Sequence, residues 1–131
     1  MLTYNYLLQS APLYNKLLQT NFTSFKLSRN LMIQKKKIDN ELSIYLELEK
    51  KLIDKYAKKD DNGQPIVGED GIIEFDSEDN KAEFIREIIE LKNTTIDNFE
   101  KVTIYEDNFR NANDIPSPNE MLALEEVIDW Q

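Results

Sequence analysis

The sequence predicts an α+β fold, mostly helical, with one long amphipathic helix and a small antiparallel three-stranded sheet. Three observations lead there. Apolar residues recur at three- and four-residue spacing through most of residues 3–59. Gly/Asp turn signals then cut residues 60–75 into short apolar runs. Residues 94–105, TTIDNFEKVTIY, are rich in the β-branched and aromatic residues that suit strands. With 131 residues, the chain is expected to form a single domain over 1–131. Its first part (1–59) is helical and basic. Its second part (60–131) is an acidic hairpin–helix–strand–helix.

A first helix is expected over residues 3–19. Tyr6, Leu7, Ala11, Tyr14, Leu17 and Leu18 mark its apolar side. Thr3 can accept the first free amide, and Pro12 is expected to kink or interrupt the helix. After a connector at 20–25, Ser24 or Ser28 opens a second helix that runs to about Lys59. Leu31, Ile38, Tyr45 and Leu52 lie seven residues apart, the spacing of a coiled-coil or helical-hairpin seam. A helix of this length spans roughly 50 Å. A 17-residue first helix is too short to cover it, so the seam is expected to meet another protein surface.

Lys58 and Lys59 complement the end of that helix, and Gly63 follows. Gln64–Val67 and Ile72–Phe75, joined at Gly68–Gly71, read as a hairpin. Pro65 would place the first run on an edge. Asp76 or Ser77 caps a third helix over 78–92, whose Ala82, Ile85, Ile88 and Ile89 form one apolar stripe. Residues 94–105 supply the third strand beside the hairpin. An acidic, Asn-rich loop covers 106–116. Ser117, Pro118 and Glu120 then make a capping box with proline at the first helical position. The closing helix would show Met121, Leu124, Val127 and Ile128 to the core. Trp130, the only tryptophan, either docks on the body or anchors a partner. No internal repeat or low-complexity tract is visible.

Composition narrows the chemistry. Without cysteine, disulfides, thiol catalysis and thiolate metal sites are excluded. Without histidine as well, the usual zinc sites and the commonest general acid/base are missing. Only three glycines occur, so no phosphate-cradling glycine loop can be written. DDNGQPIVGEDG fails as an EF-hand, because its sixth and twelfth positions hold Pro65 and Gly71. Neither a catalytic residue, a cofactor nor a metal site is expected, and the chain reads as a non-enzyme. No apolar run is long enough to cross a membrane, and the N-terminus lacks the basic start of a signal peptide.

Charge is divided along the chain. Residues 1–59 carry 11 Lys/Arg and 5 Asp/Glu, whereas residues 60–131 carry 5 and 20. Such asymmetry favours head-to-tail self-association or two different partners; ordinary solvation of helix faces explains it equally well. Lys35, Lys36 and Lys37 splay over about 200° of helix and make no flat phosphate-binding face. Direct nucleic-acid binding is therefore not expected.

Several motifs follow in a fixed order: Leu52-Ile53-Asp54-Lys55-Tyr56, Asp60-Asp61-Asn62-Gly63, Asp70-Gly71 and the closing run from Pro118 through Glu120, Met121, Ala123, Leu124 and Glu125 to Ile128. As an ordered set, they resemble a family of small tailed-bacteriophage proteins of unknown function. The likeness covers most of residues 24–129. It implies a phage or prophage origin and carries over no catalytic residue. The expected role is then protein–protein contact in virion assembly or structure. The partner would be a second copy in a homo-oligomer, another phage structural protein, or a host protein. The expected location is the host cytoplasm or the virion. Leu31, Ile38, Tyr45, Leu52 and Trp130 are the expected interface. The alternative is an acidic intracellular inhibitor of a host defence or nucleic-acid-handling protein. A metal-assisted enzyme built on Asp/Glu is the weakest reading.

Overall fold

Thr3 caps the first helix from its own side chain. Its Oγ1 accepts the Tyr6 N–H at 3.1 Å, and helix α1 runs Tyr4–Leu17. The structure, a computed structural model describing residues 1–131, keeps α1 unbroken through Pro12. Pro12 faces water, where solvent can replace the hydrogen bond its ring removes, so the expected interruption does not occur. Ser24 opens helix α2 (Phe25–Tyr56), its Oγ accepting the Leu27 N–H at 3.2 Å. The helix passes Asp39 and Asn40 without a break. Helix α3 (Glu78–Lys92) starts at Ser77, whose Oγ accepts the Asn80 N–H at 3.1 Å.

The sheet differs from expectation. It has two parallel strands, β1 (Val102–Ile104) and β2 (Ile128–Trp130), paired Val102 to Ile128 and Ile104 to Trp130. The segment expected as a third strand beside the hairpin instead contributes β1, which pairs with β2. Its partner comes from the segment expected to be helix. Helix α4 spans only Pro118–Ala123, and the chain then turns into β2. Met121, Leu124, Val127 and Ile128 do fit a helical period. Leu124, Val127 and Ile128 are nevertheless fully buried, and β2 satisfies the backbone of buried Val102 and Ile104. Tertiary pairing has overridden local propensity here.

The chain forms two compact units. Unit 1 comprises Met1–Leu42 and Thr95–Gln131. Its core joins Leu7, Tyr14 and Leu17 of α1, Leu27, Leu31 and Ile38 of α2, Val102 and Ile104 of β1, and Leu124, Val127 and Ile128. Within that apolar interior lies Gln34. Its amide nitrogen donates to the carbonyls of Val127 (2.7 Å) and Glu100 (3.1 Å), and its oxygen accepts the Tyr14 hydroxyl at 2.7 Å. One buried polar side chain thus fixes α1, α2 and the approach to β1, with all of its groups satisfied.

Unit 2, Ser43–Thr94, is built differently. Three backbone hydrogen bonds close a ring: Lys58 N–H to Glu74 C=O, Glu74 N–H to Ile66 C=O, and Ile66 N–H to Lys58 C=O, at 2.9, 3.1 and 2.9 Å. Antiparallel bridges flank it at Ala57–Phe75, Lys59–Pro65 and Val67–Ile73. The expected hairpin is therefore present as isolated bridges, not as two strands of a larger sheet. Both connecting turns end on a glycine at positive φ, Gly63 at 76° and Gly71 at 80°. The three ring residues are evenly spaced along the chain. α3 buries no residue, and its Arg86 forms ion pairs with Glu83, Glu87 and Glu90.

Candidate protein-interaction surfaces

The residues expected at an interface divide by burial. Leu31 and Ile38 belong to the core of unit 1, and Tyr45 is buried in unit 2. Leu52 is half-buried. Trp130 docks on its own unit: its indole N–H donates to the Met121 carbonyl at 2.7 Å, and its ring stacks with Phe109 at 6.3 Å. Most of the seven-residue seam is thus occupied by the chain itself, and it does not form one continuous outward stripe.

Exposed large apolar side chains occur in both units, those of unit 1 being Met1, Phe25, Met32, Ile33, Tyr105, Ile115 and Leu122. In unit 2, Ile44, Leu46 and Leu48 of α2, Val67 and Ile72 of the hairpin, and Ile85 and Ile89 of α3 are all exposed. Leu46 is 58% exposed, Ile72 65% and Ile89 53%. Against these seven, unit 2 buries only Tyr45 and Ala57 among its hydrophobic residues. One oxygen of Glu87, Oε2, is shielded from water with no hydrogen-bond partner. Ile85 and Ile89 sit one helical turn apart and were legible as an apolar stripe. That the stripe stays open was not legible, because sequence periodicity does not say what covers a face.

Unit 1 carries an open groove of about 650 Å3 between α2 and the segment 98–108. Leu27, Phe99 and Val102 form part of its floor, and Lys26, Lys37 and Lys101 line it with Glu100. The Lys37 ammonium donates to the Asn98 carbonyl and lies 5.6 Å from the centre of the Phe99 ring. Along this groove runs the outer edge of β1.

The titratable groups of unit 1 are structural in placement. Burial, then the charge of Asp39, pushes the Tyr14 hydroxyl well above its ordinary range, keeping it a neutral donor to Gln34. The Lys16 ammonium, 2.8 Å away, and the Ser117 backbone N–H hold the Glu120 carboxyl down at about 2. No group of three or more carboxylates is arranged to hold a metal ion. No helix is long and apolar enough to cross a membrane.

Compared with protein-family models, curated proteins and solved structures, the chain matches none.

Proposed function

We propose that this is a non-enzymatic phage or prophage protein that acts by protein–protein contacts in virion assembly or structure, and that unit 2 makes those contacts. One observation carries the reading. Unit 2 exposes seven large apolar side chains and buries two. A unit of this size gains little from its own interior and more from covering that surface with another protein. The partner is a second copy of the chain or another structural protein of the particle. The place of action is the host cytoplasm or the virion.

The test replaces Ile85 and Ile89 together with aspartate. α3 buries neither residue, so helicity by circular dichroism should hold. The native mass, or recovery of the chain with purified particles, should fall. Unchanged mass and unchanged recovery would overturn the reading.

Charge supports a second reading, an acidic inhibitor of a host defence or nucleic-acid-handling protein. Residues 60–94 carry 11 Asp/Glu against 3 Lys/Arg. Salt separates the two. A contact made through carboxylates weakens steeply as salt rises, and one made through Ile85 and Ile89 does not.

A further inference from the structure

The hydrogen bonds of β1 leave one side of it unused. Val102 N–H donates to Val127, Gln131 N–H to Ile104, and Glu106 N–H to Gln131. The backbone at 102, 104 and 106 therefore faces β2. In an extended strand the alternate residues face the other way, so Lys101 and Thr103 point their N–H and C=O groups away from β2. That side is where the groove opens: Lys101, Val102, Thr103 and Tyr105 line it, across from Lys26, Leu27 and Lys37 of α2. An edge strand covered tightly by a helix would have no such space. This one retains room for a further extended chain at the usual spacing of about 4.8 Å.

We infer that the groove beside β1 in unit 1 binds an extended acidic segment of another protein, which adds as a strand to the open edge at Lys101 and Thr103. Charge selects the occupant. The chain as a whole has a net charge of −9, yet the groove presents Lys26, Lys37 and Lys101 against the single Glu100. Lys26 and Lys101 form no ion pair within the chain. Alternation in the added strand meets both features of the groove: one set of side chains reaches Leu27, Phe99 and Val102, and the other reaches the lysines. Main-chain pairing then supplies affinity and the lysines supply selection. Unit 2 has no part in this site, so failure of the proposal leaves the reading of unit 2 standing.

The probe is a fluorescein-labelled peptide of alternating glutamate and valine, titrated into the full chain and followed by anisotropy and amide hydrogen exchange. Saturable binding with slowed exchange at Lys101 and Thr103 is expected. A peptide with lysine for glutamate should bind at least about tenfold more weakly. So should the acidic peptide N-methylated on the amides that face the edge, since methylation removes strand pairing and keeps the charge. Lys26→Glu with Lys101→Glu changes only exposed side chains and should weaken binding by a similar factor while leaving thermal unfolding unchanged. No binding, or undiminished binding of the N-methylated peptide, overturns the proposal. Equal affinity for single-stranded oligo-dT would make the groove a general polyanion site and overturn it too. So would a wild-type dimer that the peptide dissociates, because the occupant would then be a second copy.

Discussion

Unit 1 and unit 2 share helix α2 but hold themselves together by different means. Unit 1 buries thirteen hydrophobic residues and pins three of its elements through Gln34. Unit 2 buries two and relies on a backbone ring, ion pairs on α3 and a tilted Phe75–Phe84 contact at 5.3 Å. Hydrophobic burial is the main favourable term in folding, whereas exposed ion pairs add little. The difference therefore teaches where stability lies. Both units expose seven large apolar side chains, but only unit 1 sets a large buried core against them.

The strongest attack on that comparison is a matched pair of truncations. Ile128→Ala opens a cavity in the core of unit 1 and should cost about 3 kcal/mol in denaturant unfolding. Ile88→Ala in unit 2, only partly buried, should cost less, about 1–2 kcal/mol. Equal costs would mean that unit 2 has a core of its own. Next in size is Gln34→Ala, which leaves the Tyr14 hydroxyl and the carbonyls of Glu100 and Val127 unpaired in the interior. A loss of about 2 kcal/mol is expected, and Gln34→Leu should not rescue it.

Smaller effects sharpen the same contrast. Gly71→Ala forces an ordinary side chain into a left-handed backbone and should cost about 1 kcal/mol. That loss should appear as faster amide exchange confined to unit 2, while Val102 and Ile104 stay protected. The smallest expected effect is a pH dependence at α4 of unit 1. Glu120 has its carboxyl lowered to about 2 by Lys16 and by the Ser117 cap. The contact thus stabilises the fold fully above the ordinary carboxylate value of 4.5 and is lost as pH falls towards 2. Glu120→Gln should flatten the fall of melting temperature across that interval.

Helices α1, α2 and α3 were legible because Thr3, Ser24 and Ser77 each precede a periodic apolar run, and the structure uses all three as caps. The sheet was not legible. β2 comes from a run whose spacing fits a helix, and only the hydrogen-bonding needs of the buried β1 backbone decide otherwise. The seam of α2 was visible, but its direction was not. Leu31 and Ile38 turn into a core assembled from residues distant in sequence, such as Ile104 and Ile128. Gln34 left a trace, a polar residue three positions after Leu31 and four before Ile38 on the apolar face. Its partners Glu100 and Val127 could not be read from α2 alone.

The ring at Lys58, Ile66 and Glu74 gives the hairpin region an unusual tolerance. All three bonds lie at the base, while Asp61–Asn62 and Glu69–Asp70 sit at exposed turn tips. A closed ring has no edge at which a foreign strand can invade, and lengthening either tip leaves its bonds in place. An epitope or fluorophore-bearing loop grafted between Asp61 and Asn62 should therefore report on this chain inside a larger assembly without unravelling its base.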